Sequence, residues 1–119
     1  MNPILFLQSK GYPDPIIQKI LSKEPIKLMS EETLVHTTKT DIEYLESLNY
    51  SIKEIINLTK KHPQIFSYSD SMLKQTFNYF DQKGYSFEDT KKLTKRLPAI
   101  FGRNENYLDD RFDYFIQKK

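Results

Sequence analysis

The sequence contains no cysteine. That removes disulfides, thiolate metal sites and cysteine nucleophiles, and it suits a reducing compartment, so a cytoplasmic location is the expectation. Histidine occurs only at His36 and His62, and neither has a local cluster of ligands or acid–base partners, so no metal site and no catalytic residue is expected. The chain lacks a glycine-rich phosphate loop, and nothing in it points to a cofactor or a small-molecule substrate. No apolar run approaches the ~20 residues that a membrane span needs. The opening Met-Asn-Pro-Ile-Leu-Phe-Leu lacks a basic leader and reads as a first helix. Alanine occurs once, at Ala99. The formal charge of +2 is small, so any basic site must be local.

What is present is repetition. Tyr44 to Leu73 and Tyr79 to Leu108 share ten identities in thirty positions at a spacing of 35 residues, where unrelated chains would share roughly two. The matches include Tyr50/Tyr85, Ser51/Ser86, Leu58/Leu93, Thr59/Thr94, Lys60/Lys95, Pro63/Pro98 and Phe66/Phe101. A fainter copy lies 38 residues earlier, with Tyr12 answering Tyr50, Pro25 answering Pro63, Ile17 answering Ile55 and Leu28 answering Phe66. At 119 residues the chain reads as one domain, its repeats spanning approximately 3–41, 42–76 and 77–111, with a closing helix to 119.

The local signals are helical throughout, and no stretch alternates with the period of a strand. Residues 3–10 form a short helix stopped by Gly11. Asp14-Pro15 then offers an N-cap and a first-turn proline for a helix carrying Ile16, Ile17, Ile20 and Leu21. Ser30-Glu31-Glu32 opens the next helix, and Thr37, Thr38 and Thr40 predict a kink or a split in its middle. Ser51-Ile52-Lys53-Glu54 is a capping box, and Ser86-Phe87-Glu88-Asp89 is the same device with aspartate. These spacings make Ser51 and Ser86 caps rather than nucleophiles. Ser69-Asp70 opens a helix with Leu73, Phe77 and Phe80 inward. Asn104-Glu105 opens the last, with Leu108, Phe112 and Phe115 inward. Proline turns begin at Pro25, Pro63 and Pro98.

The pattern L-x-x-x-G-Y-S-x-E-x-x-x-x-L-x-x-x-P-x-I-F, clearest from Phe80 to Phe101, then Leu45 to Phe66, then Leu7 to Leu28, resembles the repeat of the mitochondrial transcription termination factor (mTERF) family. The resemblance implies an all-α fold, a short helical-repeat solenoid of three helix–helix–3₁₀ units plus the closing helix. It also implies nucleic-acid binding, often of duplex DNA, along a basic groove. Members of that family usually carry more repeats and an organelle-targeting segment, and these 119 residues carry neither. Tetratricopeptide units have a similar period but need small residues where helices meet, which a single alanine does not supply.

Charge separates by helix. Residues 51–62 hold Lys53, Lys60 and Lys61 against Glu54, and residues 86–97 hold Lys91, Lys92, Lys95 and Arg96 against Glu88 and Asp89, each summing to +2. Residues 30–48 sum to −4 and residues 104–117 to −3. Lys23, Lys60/Lys61 and Lys95/Arg96 fall at one repeat position, and with Lys91 and Lys92 they form a basic ladder suited to phosphates. Acid at helix starts and base at helix ends also arises from dipole complementarity alone, so the ladder is equally well helix chemistry. The acidic layer of Glu31, Glu32, Asp41, Glu43, Glu46, Asp109, Asp110 and Asp113 is the corresponding docking surface if the partner is a basic protein, a nucleic-acid enzyme included. Tyr12, Tyr50 and Tyr85 read as packing at the inter-helix turn rather than as base-stacking platforms.

Overall fold

The computed structural model describes residues 2–112. Seven α-helices follow in order: α1 (Pro3–Ser9), α2 (Asp14–Leu21), α3 (Glu31–Ser47), α4 (Ile52–Lys61), α5 (Asp70–Gln82), α6 (Phe87–Arg96) and α7 (Glu105–Asp110). Three 3₁₀ segments, Ile26–Leu28, Pro63–Ser67 and Pro98–Gly102, follow α2, α4 and α6. No strand occurs among the described residues, so the fold is all-α as the sequence predicts. Asp113, Phe115 and the end of the predicted closing helix lie outside the described residues.

Each joint between paired helices is built by the same local chemistry. Gly11, Asn49 and Gly84 take φ of 94°, 66° and 87°, the left-handed conformation that glycine adopts freely and asparagine tolerates. The next residue is always tyrosine, and its amide reaches back five residues, to Leu7, Leu45 and Phe80 respectively, at 3.0–3.1 Å. This satisfies a helix-end carbonyl that would otherwise be orphaned. Serine then caps the following helix in two of the three. Ser51 Oγ accepts from the Glu54 amide at 3.1 Å while the Ser51 amide donates to Glu54 Oε1 at 2.9 Å. Ser86 Oγ accepts from the Asp89 amide at 3.0 Å. Each such cap contributes about 1 kcal/mol. At the first joint the N-cap is Pro13 and has no side-chain bond; Asp14 instead accepts from Gln8 Nε2 at 3.1 Å.

The apolar positions meet in a core centred on Ile17, Ile20, Ile42, Leu45, Ile55, Leu58, Ile65 and Phe66, all essentially without solvent exposure. It passes through Phe77 and Phe101, whose rings lie 5.9 Å apart, toward a C-terminal cluster around Phe80, Tyr85 and Leu93. Odd-numbered helices pack on one another, α1 on α3 and α3 on α5, while α4 packs on α6.

Besides the first cap, which falls on Pro13 where Asp14 was expected, two expectations are corrected here. Helix α3 runs unbroken through Thr37, Thr38 and Thr40. The Thr37 hydroxyl approaches the Leu34 carbonyl at 3.2 Å and the Phe66 carbonyl at 2.8 Å, and Thr40 Oγ1 donates to the Thr37 carbonyl at 3.1 Å. Tertiary bonding thus outweighs the weak helix propensity of threonine. Leu28 does not do the work of Phe66: it is 75% exposed, whereas Phe66 is fully buried. The first 3₁₀ segment is three residues long against five in the others, and Ile26 is its buried side chain.

Candidate nucleic-acid interface

The repeat spacing brings the second helices together through two seams of matching design. At the first, the Tyr12 hydroxyl lies 2.8 Å from Thr59 Oγ1, and Thr59 Oγ1 donates to the Ile55 carbonyl at 2.7 Å. At the second, the Tyr50 hydroxyl lies 2.6 Å from Thr94 Oγ1, which donates to the Lys91 carbonyl at 2.9 Å. A threonine hydroxyl has one proton, so each tyrosine must be the donor of its pair. Burial pushes the phenols of Tyr12 and Tyr50 far above the ordinary tyrosine value. All three repeat tyrosines, Tyr12, Tyr50 and Tyr85, are buried, which fits packing at the joint.

The ends of the basic helices are joined by lysines that reach across the seams. Lys19 Nζ approaches the Lys60 carbonyl at 3.5 Å, and Lys61 Nζ donates to the Lys95 carbonyl at 2.9 Å. In both cases a cation sits at the negative end of a neighbouring helix. The second seam adds an ionic cluster. Lys95 Nζ donates to Glu54 Oε2 at 2.5 Å, and Lys91 Nζ lies 3.5 Å from Glu54 Oε1. Lys91 also donates to the Asn49 carbonyl at 2.9 Å and lies over the Tyr50 ring at 5.1 Å. Its side chain is only 15% exposed, against 41% for Lys95. The lysine bonds and the Ser51 amide hold the Glu54 carboxyl down at about 2.

Of the ladder residues, Lys23, Lys60, Lys61, Lys92 and Arg96 are exposed, Lys95 is half-buried, and Lys91 is largely enclosed at the seam. The contact of α4 with α6 brings six of the seven onto two adjacent helices, and Lys23 lies beyond the end of α2. Ammonium and guanidinium groups on two abutting helices are chemically suited to a polyanion. Among the described residues no group of three or more histidine, cysteine or acidic side chains is placed to hold a metal. No helix among them is long and apolar enough to cross a membrane.

The mTERF family model matches residues 1–119, the full length of the sequence. The chain belongs to the mTERF family. That family is generally nucleic-acid-binding, which gives the exposed basic residues of this mTERF chain their context. No curated protein sequence matches it.

The acidic layer is less uniform than the sequence suggests. Glu31, Glu32, Glu43 and Glu46 are exposed along α3, as is Asp110 on α7. Asp109 accepts from the Tyr79 hydroxyl at 2.7 Å and pairs with Lys83 at 3.5 Å, which binds α7 to α5. Asp41 is completely buried, so it is not part of that surface. Neither of its carboxylate oxygens has a hydrogen-bond partner among the described residues, and burial, reinforced by Asp70, pushes its carboxyl up to about 8. At neutral pH it is mainly the uncharged acid, which limits the cost of enclosing it.

Two features of this mTERF chain escaped the sequence reading. Glu54 reads as a capping residue alone, although it is the one acid in residues 51–62 and meets lysines of the following repeat. Arg103 and Arg111 lie 4.5 and 4.6 Å from the ring of Tyr107 beside a cavity of about 470 Å³ floored by Leu97, Ala99 and Ile100. For the latter, Arg111, four residues after Tyr107 at the end of α7, had a helical-spacing signal, whereas Arg103 lies in extended backbone before the cap and had none.

His62 ends α4, where its Nε2 lies 2.8 Å from the Tyr68 hydroxyl. Burial, with the nearby Arg103 charge, lowers its pKa. The neutral ring is a packing element of the second proline turn. Tyr68 in turn lies so close over Gly102 that any Cβ at 102 would collide with its phenol.

Proposed function

We propose that this protein is a nucleic-acid-binding regulatory module whose second helices contact the phosphate backbone of a duplex with weak sequence specificity. We infer with it that the chain stacks as three helix–helix–3₁₀ units plus a closing helix, forming one short solenoid. The observation that carries the reading is the 2.9 Å bond from Lys61 Nζ to the Lys95 carbonyl, which draws the lysine-rich ends of α4 and α6 into one surface. Lys60 and Lys61 on α4 and Lys92 and Arg96 on α6 are exposed, Lys95 lies at the seam, and the exposed Lys23 follows the end of α2. Lysine reads charge rather than base edges, so binding follows the backbone and falls with salt. The cysteine-free composition supports action in the cytoplasm.

The test is retardation of a generic DNA duplex. Reversing the exposed Lys60 and Lys92 together to glutamate abolishes binding near physiological salt and leaves the thermal midpoint almost unchanged, because exposed charges add little to stability. Reversing Glu43 and Glu46 on α3 leaves binding intact or tightens it. Absence of wild-type binding at low salt, where electrostatic attraction is strongest, refutes the reading. The docking of a basic protein on the exposed glutamates of α3 is then the reading to test.

A further inference from the structure

The two ladder lysines that the sequence makes equivalent are not equivalent in the structure. Lys60 and Lys95 occupy the same position, 35 residues apart. Lys95 is held by Glu54 across the second seam. Lys60 is exposed, and its ammonium has no ion-pair partner among the described residues. The cause lies one repeat earlier in each case. The residue placed to neutralise Lys95 is Glu54; the matching residue for Lys60 is 38 positions before Glu54, and it is Ile16. At that position the first seam therefore has no carboxylate.

Glu54 is itself fixed. Its Oε1 accepts from the Ser51 amide at 2.9 Å and lies 3.5 Å from Lys91, whose own position is set by the Asn49 carbonyl and the Tyr50 ring. Lys95 is the more exposed lysine of the cluster, and Glu54 is the one partner of its ammonium among the described residues. A phosphate approaching Lys95 must compete with an anchored carboxylate, while one approaching Lys60 meets an open ammonium.

We propose that Glu54 sets the order and number of phosphate contacts on this surface, acting as an internal counter-anion that withholds Lys95 while leaving Lys60 free. The inference rests on the nucleic-acid reading and adds to it a residue that determines which rung is used. Phosphate is engaged first at Lys60 and its neighbour Lys61. Lys95 joins only when a strand supplies enough charge to displace Glu54. Glu54 thereby lowers affinity for short or weakly charged ligands more than for long ones.

The experiment compares single glutamine variants and their combinations by fluorescence anisotropy of a generic DNA duplex across a salt series. Glutamine at position 54 still completes a capping box, so α4 keeps its N-terminal bonds; circular dichroism and thermal melting check this. Lys60→Gln weakens binding about tenfold near physiological salt and lowers the salt slope by about 0.9, the value for one phosphate contact. Lys95→Gln alone weakens it by less than about threefold, because most of that contact is already spent on Glu54. Glu54→Gln tightens binding about fivefold and steepens the slope by nearly one contact. In the Glu54→Gln background, Lys95→Gln costs about as much as Lys60→Gln.

Equal effects of Lys60→Gln and Lys95→Gln in the otherwise unaltered chain overturn the inference. So does an asymmetry that persists after Glu54→Gln, since it would then come from shape and not from the carboxylate. Binding without asymmetry refutes this inference alone. Absence of duplex binding by every variant at low salt refutes it together with the nucleic-acid reading.

Discussion

The seam between α2 and α4 and the seam between α4 and α6 share a buried half and differ in their exposed half. Both bury a tyrosine that donates to a threonine, at 2.8 and 2.6 Å, and both set a lysine on the last carbonyls of the neighbouring helix. Only the second carries a carboxylate among its lysines. A buried hydroxyl pair must be complete, because an orphaned phenol inside costs roughly 1–3 kcal/mol. A partly exposed ion pair such as Lys95–Glu54 contributes roughly 1 kcal/mol, so losing it leaves the fold standing. The difference teaches where sequence is constrained by the fold and where it is available for binding.

The strongest way to break the comparison is to hollow out each seam. Phe66 packs edge-on against Tyr12 at 6.1 Å, and Phe101 packs against Phe77 at 5.9 Å. Phe66→Ala and Phe101→Ala are each expected to cost about 3–5 kcal/mol in denaturant titrations, since both rings are buried. A cheap loss at one position shows that the seams do not share a core design.

The next test removes the shared polar pair. Thr59→Val and Thr94→Val keep the shape and strip the acceptor from Tyr12 and Tyr50 respectively. Each should cost about 1–3 kcal/mol, by similar amounts at the two seams. Urea unfolding of the two variants measures this, and a difference much above about 1 kcal/mol marks one seam as dominant.

The subtlest test concerns the other layer. Asp41 on α3 corresponds by repeat position to Thr76 on α5. Both are buried, but Thr76 Oγ1 donates to the Met72 carbonyl at 3.4 Å while Asp41 has no partner among the described residues. The folded carboxyl titrates at about 8, above its unfolded value of roughly 3.9, so the native state holds the extra proton in between. The part of stability that depends on the Asp41 proton is therefore full below about pH 4 and is lost as pH rises toward 8. Asp41→Thr should remove that slope and raise the melting temperature at pH 8 more than at pH 5. A slope unchanged by the substitution places its origin elsewhere.

The fold was legible because its determinants are local. Left-handed residues before Tyr12, Tyr50 and Tyr85, serine caps, and prolines at fixed spacing each act within one turn of chain. The failures are tertiary. The continuity of α3 through its threonines depends on the Phe66 carbonyl, 29 residues away from Thr37. The burial of Asp41 could not be read from a stretch otherwise rich in exposed glutamates. The ladder's membership was legible as residue types, but its hierarchy was not. The pairing of Glu54 with Lys95 joins residues 41 apart on different helices, and sequence equivalence gave Lys60 and Lys95 the same reading.

The tyrosine–threonine pairs also give this molecule a ceiling in alkali. Each phenol is the donor in its pair, and its partner threonine has already given its only proton to a helix carbonyl. Ionising Tyr12 or Tyr50 would leave an enclosed phenolate, which its threonine could answer only by giving up its bond to the helix carbonyl. The folded chain accordingly keeps those protons well above pH 10, while the unfolded chain gives them up near it. Every step of pH above that point draws the equilibrium toward the open chain. Base thus acts on both seams from the inside, at the one part of their design that they hold in common.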